Sequence, residues 1–280
     1  MERYGNIEFA TKKDLFKFLS ENREKLIAQK KAVKKEVDCG VILKPTIVLD
    51  PKINKADMGM MDLTGLNSLK VVCVINTTNF LDSHMDVHMP GLWNKSLTDN
   101  KNIMHLQEHN MEFDKIIADG KNLKAYAKKF NWSELGYAYS GDTEALVFES
   151  EILRKRNTFM LDQYANGWVK NHSVGMYYVK TDFAVNDEDF PNEFEAWKKY
   201  YPQIVNPYMA DERGYFSYVL EAKCIEGSAV PIGSNTATPT LETGKNIQDD
   251  QPSKDTDDPS EPSNDTQKID YKFLLKNLKN

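Results

Sequence analysis

The histidines are the first side chains of this sequence that could support chemistry. Four of the five form two pairs spaced i,i+4, His84 with His88 and His105 with His109. On a helix this spacing places two imidazoles on one face, as in zinc hydrolases. The first pair, however, is followed by Pro-Gly, and neither pair contains a glutamate in the His-Glu-x-x-His order. A zinc-dependent hydrolase that uses these four histidines is therefore a minor alternative.

A serine at the start of a predicted strand is the second candidate. Ser173 opens the run Ser-Val-Gly-Met-Tyr-Tyr-Val, and Gly175 shares its face of the strand because side chains alternate. A residue without a side chain leaves room for a substrate backbone beside the hydroxyl. To attack a carbonyl, the serine needs a base, and the base needs an orienting acid. Cys224 is a poor alternative nucleophile, because it lies within a β-rich run without an adjacent base.

The elements that must position these side chains are mostly β-rich runs. We predict strands where Val, Ile, Tyr and Phe are concentrated, at residues 40–50, 70–76, 143–150, 173–185 and 215–225. Two helices are predicted between them, at 157–170 and 192–200. The mixture predicts an α+β domain with a mostly β core over residues 40–232.

Both ends of the chain differ from this core. Residues 1–39 form a basic region in which helical spacing predicts a helix over 11–37, either a solvated surface helix or a docking arm for an acidic partner. Residues 233–268 are rich in Ser, Thr, Asn, Asp and Pro and carry net negative charge, which predicts a disordered acidic linker. Residues 269–280 regain apolar side chains among lysines and predict a short amphipathic helix.

Composition limits the class of protein. The chain has 280 residues, 40% of them hydrophobic, with 36 basic and 42 acidic side chains and a net charge of −6. Its apolar runs are far shorter than the roughly 20 residues that span a bilayer, and its first residues do not resemble a signal peptide. The three cysteines fit neither a disulfide framework nor a zinc ribbon. We expect a soluble protein of a reducing compartment, with no membrane partner and no specific nucleic-acid binding.

Five blocks of the sequence follow the order of a known family. Residues 82–97, which read DSHMDVHMPGLWNKSL, resemble the opening signature of tailed-bacteriophage prohead maturation proteases. The later blocks are LQEHN at 106–110 with FDKII at 113–117, ALVFE at 145–149, HSVGM at 172–176 and IEGSAVPIGSN at 225–235. They resemble the family's histidine block, its next strand, its Leu-Ser-Ile-Gly-Phe block and its Pro-Ala-Asn ending.

The resemblance implies a serine protease similar to the herpesvirus assemblins, with a compact, mostly antiparallel β-barrel core surrounded by helices. Carried over residue by residue, it makes His109 the general base, Ser173 the nucleophile and Glu226 the acid that orients the base. Glu221, in the same β-rich run, is the rival acid, because an inserted segment at 186–215 separates the last two blocks. The resemblance implies no cofactor and no metal.

The implied activity is endopeptidase cleavage of the phage scaffold, of a scaffold-like region of the major capsid protein and of the protease itself. It takes place inside the assembling prohead in the host cytoplasm, and such proteases are often homodimers. The polar linker is then a candidate for self-cleavage, and the terminal helix for binding capsid or scaffold. Departures from the family pattern at Asn110 and Ile117 leave a second class open, a catalytically inactive protease-like scaffold or assembly protein.

Overall fold

The computed structural model describes residues 2–34, 63 and 65–245, and within them the chain has an α+β fold, as predicted. The strands are β1 (Glu2–Tyr4), β2 (Ile7–Phe9), β3 (Ser68–Thr77), β4 (Asp86–His88), β5 (Met104–Gln107), β6 (Ile116–Asp119), β7 (Leu123–Asn131), β8 (Asp142–Leu153), β9 (Asn171–Val185), β10 (Tyr215–Val230) and β11 (Thr240–Lys245). The α-helices are α1 (Lys12–Glu21), α2 (Arg23–Ala32), α3 (Asn94–Asp99), α4 (Thr158–Ala165), α5 (Pro191–Tyr200) and α6 (Tyr208–Arg213).

β10 is the central strand of a five-stranded sheet. One of its edges pairs antiparallel with β9 along the whole strand, and the other pairs in parallel first with β4 and then with β5. β6 extends this sheet beside β5, and a second sheet has the antiparallel order β11-β3-β8-β7. Among the described residues these pairings leave both sheets open, so the closed barrel implied by the resemblance is not observed.

The main core lies between these two sheets. Gly227 of β10 lets them approach closely, since a Cβ there would lie 2.6 Å from Phe148 Cε2 of β8 and 2.7 Å from Ile75 Cγ2 of β3. Phe148 and Ile75 are fully buried, as is Tyr164 of α4, which closes one side of the same core. Burying each such side chain contributes about 1.5–3 kcal/mol, so this layer holds the two sheets together.

The N-terminal helix predicted over 11–37 is wrong in its extent, because the structure has two helices that meet at Asn22. The Asn22 side chain donates to Phe18 O at 2.9 Å, and the following helix α2 ends at Ala32. Residues 35–37 lie outside the described residues. The apolar side chains of both helices pack against β9 and β10, in a cluster that includes Leu15, Leu19 and Phe183. These helices therefore lie on the protein's own sheet.

The predicted linker begins too early, because residues up to Lys245 belong to the fold. β11 pairs antiparallel with β3, from Thr240 opposite Cys73 to Lys245 opposite Leu69. The segment before it is buried through polar contacts, such as Asn235 Nδ2 to Thr77 O at 3.0 Å. Backbone pairing and buried hydrogen bonds order this segment, and composition does not register either of them. The rest of the linker and the helix predicted at 269–280 lie outside the described residues.

The other predicted elements agree with the structure where it describes them. The strand predictions at 70–76, 143–150, 173–185 and 215–225 correspond to β3, β8, β9 and β10, and the helix predictions correspond to α4 and α5. α4 ends at Ala165 rather than at 170, since Gly167 adopts φ 67° just beyond it. The strand predicted at 40–50 lies outside the described residues. No helix in the described ranges is long and apolar enough to cross a membrane.

Candidate active site

Ser173 and Glu226 lie on one face of the β9–β10 pair. The register places Ser173 opposite Ser228 and Gly175 opposite Glu226. Because side chains two residues apart on a strand point the same way, all four positions share that face. A Cβ at Gly175 would overlap Glu226 Oε1 and lie 2.6 Å from Glu226 Cδ. The glycine therefore allows the Glu226 carboxylate to lie across β9.

His109 approaches the same strands from the end of β5. β5 pairs in parallel with β10 as far as Gln107, which lies opposite Ala229. The chain then turns through Glu108 and His109, whose φ angles of 52° and 60° lie in the left-handed region. Such conformations in non-glycine residues cost about 1–3 kcal/mol each and cluster at functional sites. The Glu108 backbone N–H donates to Ala229 O at 2.9 Å and so ties this turn to β10.

A closed set of hydrogen bonds joins His109, Glu226 and Ser228. His109 Nδ1 lies 2.7 Å from Glu226 Oε1, and the Ser228 hydroxyl donates to Glu226 Oε2 at 2.7 Å. Ser228 Oγ in turn accepts the backbone N–H of His109 at 3.1 Å. Both carboxylate oxygens are thus bonded, and the imidazole is fixed at its ring nitrogen and at its backbone.

These contacts keep the Glu226 carboxylate ionised. Burial alone would raise its pKa, but hydrogen bonds from His109 and Ser228, with the nearby charges of His109 and Lys34, outweigh burial and lower the pKa below the usual 4.5. An ionised Glu226 accepts a hydrogen bond from the Nδ1–H of His109, so that in the neutral imidazole Nε2 is the basic nitrogen. The pair therefore has the tautomer that a general base requires.

The basic nitrogen of this pair has no hydrogen-bond partner among the residues that the structure describes. His109 Nε2 is buried and makes no hydrogen bond, and the Ser173 side chain makes none with any described residue. Buried imidazole nitrogens are ordinarily hydrogen-bonded, so an unpartnered one needs an explanation, and a proton acceptor is one. No hydrogen bond joins Ser173 to His109 in this structure. In ligand-free enzymes such contacts are often long and tighten when substrate binds.

Lys34 brings the N-terminal segment to the same carboxylate. Its Nζ lies 3.3 Å from Glu226 Oε1, the oxygen that also contacts His109, and its side chain is only 17% exposed. Its Cε would lie 2.7 Å from a Cβ at Gly175. The sequence analysis did not single out Lys34, since nothing in the sequence distinguishes it from the other lysines of this basic region.

The structure distinguishes between the two candidate acids. Glu221 pairs with Lys180 at 2.8 Å across the β9–β10 ladder and makes no contact with His109. Glu226 makes that contact. Ser228 was missed, although its spacing of two residues from Glu226 on a predicted strand already placed both side chains on one face. Cys224 is fully buried, and burial followed by the charge of Glu226 raises the pKa of its thiol, which makes it unreactive.

The structure does not bring the four histidines of the zinc alternative together. His88 lies 2.8 Å from Asn76 and 3.3 Å from Tyr178, measured from Nδ1 and Nε2 respectively, while His109 contacts Glu226. His105 instead lies near His172 and Cys73, the one group of potential metal ligands found among the described residues. The alternative fails because β4 and β5 are strands, so its i,i+4 residues do not share a helical face.

Fold and site together define an α+β protein with a buried His–Glu pair beside a serine on the central strand pair. The chain matches no protein-family model, no curated protein and no solved structure.

Proposed function

We propose that the protein is a serine endopeptidase that matures tailed-bacteriophage proheads, with Ser173 as nucleophile, His109 as general base and Glu226 as the acid that orients it. The observation that carries the proposal is the 2.7 Å contact from His109 Nδ1 to Glu226 Oε1, with Nε2 buried and unpartnered. The order of the five sequence blocks supports the phage family. The substrates are the scaffold, the scaffold-like region of the major capsid protein and the chain itself.

The chemistry is acyl transfer in two halves. His109 Nε2 accepts the Ser173 hydroxyl proton as Oγ bonds to the scissile carbonyl carbon, and the imidazolium is stabilised by Glu226. The imidazolium then gives its proton to the leaving amine, which leaves an acyl-enzyme. A water molecule attacks the ester with His109 again as base, and Ser173 Oγ leaves with the proton. The space beside Gly175, expected from the sequence to hold a substrate backbone, is occupied instead by the Glu226 carboxylate and the Lys34 side chain.

The assemblin-like barrel, the homodimer and the location inside the prohead remain predictions from the resemblance. The long antiparallel β9–β10 pair at the centre of the structure is compatible with such a core. The mechanism needs no cofactor, because the base, the acid and the nucleophile are all side chains of this chain.

The test is intact-mass spectrometry of the purified chain after incubation, alone and with the scaffold protein. The wild type is expected to shorten itself, with cleavage in the polar segment at 246–268, whereas Ser173→Ala stays at full length. Ser217→Ala is the matched control, since Ser217 is a buried serine of β10 whose side chain makes no hydrogen bond with a described residue. It should cleave like the wild type.

Two results would contradict the proposal. Equal cleavage by wild type and Ser173→Ala would assign the activity to another group or to a contaminant. Full-length chains in every arm, with scaffold and capsid protein also intact, would favour the inactive assembly protein.

A further inference from the structure

Four buried side chains converge behind the strand that carries Ser173. They come from β3, β5, α4 and β9, and we call them the thiol–imidazole cluster: Cys73, His105, Tyr164 and His172. The Cys73, His105 and His172 ligand atoms lie within 4.8 Å of one another, and all three residues are fully buried. Tyr164 Oη lies among them, 3.1 Å from His105 Nε2, 2.9 Å from His172 Nε2 and 3.8 Å from Cys73 Sγ.

A hydrogen bond at Nδ1 orients each imidazole, so that each Nε2 points to the centre of the cluster. His172 Nδ1 donates to Thr238 O at 3.0 Å, and His105 Nδ1 lies 2.8 Å from Ser150 Oγ. In metal sites a ligand histidine is oriented in this way by a carbonyl or hydroxyl at its other nitrogen. Burial lowers the pKa of both rings, so they are neutral and their lone pairs can be used.

The distances fit the edges of a tetrahedron around a small cation. With zinc bonds of about 2.0–2.1 Å to nitrogen or oxygen and about 2.3 Å to sulfur, the edges are about 3.3 Å between light atoms and about 3.5 Å to sulfur. The measured edges from Tyr164 Oη are 2.9, 3.1 and 3.8 Å. The three other edges lie within 4.8 Å, so the Cys73, His105 and His172 ligand atoms would draw together by up to about an ångström when the ion binds.

The charges also balance. None of the electrostatic influences on these four residues comes from a carboxylate. A divalent cation bound to a Cys73 thiolate, a Tyr164 phenolate and two neutral imidazoles leaves no net charge in the core. Binding releases two protons to solvent, one from the thiol and one from the phenol.

We propose that the thiol–imidazole cluster binds one Zn²⁺ in a closed, four-coordinate structural site. All four positions are filled by protein, so no site is left for substrate or a reactive water. The ion joins β3 of one sheet to β5 and β9 of the other. His172 directly precedes Ser173, and His105 lies four residues before His109, so the ion fixes the strands that present both. The proposal does not depend on proteolytic activity.

The test uses the full chain without a histidine tag, stripped of metal and titrated with Co²⁺ as a spectroscopic probe. We expect one equivalent to bind, with the visible bands of tetrahedral cobalt and a near-ultraviolet thiolate-to-cobalt band, and Zn²⁺ to displace it. Cys73→Ser should lose the thiolate band. Cys224→Ser is the matched control, a second buried free cysteine, and it should keep the band.

Folding of the variants does not limit the test. If Cys73→Ser fails to fold, a thiolate band retained by both Cys39→Ser and Cys224→Ser assigns the ligand to Cys73 by elimination. The proposal is overturned if folded wild type takes up neither Co²⁺ nor Zn²⁺, or if the bound cobalt shows no thiolate band. It is also overturned if Cys73→Ser folds and keeps the band. The four side chains would then be a hydrogen-bond network without an ion.

Discussion

Two buried polar clusters lie on opposite faces of β9, since His172 and Ser173 are neighbours on that strand. In the thiol–imidazole cluster each imidazole nitrogen has a partner within 3.1 Å. In the His109–Glu226 pair one nitrogen has none, and the backbone beside it adopts a left-handed conformation. Satisfied groups stabilise a fold, whereas an unpartnered base on strained backbone costs stability and is retained for chemistry. The comparison favours a structural role for one face and, under the proposed function, a reactive role for the other.

The largest effect is expected from removing the negative charge of Glu226. Glu226→Gln keeps the size of the side chain but no longer favours the proton on His109 Nδ1, so cleavage should slow about 10⁴-fold, as for other triads that lose their acid. The rate of substrate-peptide cleavage measures it. Glu221→Gln is the control, because Glu221 pairs with Lys180 instead, and it should stay within a few-fold of wild type. Equal losses in both variants would refute the assignment of Glu226.

The next effect tests geometry rather than charge. Gly175→Ala places a methyl group where Glu226 Oε1 lies and should displace the carboxylate by about an ångström. Displacements of that size cost about 10²-fold in rate. Gly244→Ala in β11 is the control, since nothing lies within 4 Å of its added Cβ. Unfolding midpoints of both variants should be recorded, because full activity in a folded Gly175→Ala protein would break the proposed arrangement.

Much of this comparison could be predicted from the sequence, for identifiable reasons. β9 and β10 are visible as β-rich runs, and the resemblance singles out His109 and Glu226, which the structure places 2.7 Å apart, while the role of Ser173 stays a prediction. The approach of Lys34 to Glu226 and of Cys73 to His172 depends on contacts between residues far apart in the chain, which no local pattern encodes. The strand β11 was missed because its order rests on backbone pairing with β3 and on polar contacts of the segment before it, and composition alone reads such residues as disordered.

As the pH falls, the thiol–imidazole cluster should lose its contribution to stability before the His109–Glu226 pair does. In the metal-free protein, burial lowers the pKa of His172 from 6.5 to about 4, with the Thr238 carbonyl partly opposing that shift. The unfolded chain therefore binds more protons between these values, so stability is complete above pH 6.5 and falls as the pH drops toward 4. This one group accounts for about 3 kcal/mol. Glu226 has a pKa below 4.5, so its contribution is lost only at lower pH.

Urea unfolding of the metal-stripped protein across this range measures the loss. His84→Gln is the control, since His84 lies outside both clusters, and it should preserve the pH dependence of the wild type. A free energy of unfolding that stays flat from pH 6.5 to 4.5 would contradict the view of His172 as a buried, neutral structural group.

The smallest effect is expected from Lys34, which lies beside the His109–Glu226 pair. Lys34 Nζ competes with His109 Nδ1 for Glu226 Oε1, and its positive charge disfavours the imidazolium that forms during catalysis. Lys34→Met keeps the length of the side chain without the charge, so cleavage should accelerate, by about fivefold for an effect of about 1 kcal/mol on the imidazolium. The rate of substrate-peptide cleavage at low and high salt measures it. Lys31→Met is the matched control from the exposed side of the same segment and should change nothing. A slower Lys34→Met enzyme would instead mean that the lysine supports the carboxylate, and that the N-terminal segment belongs to the catalytic arrangement.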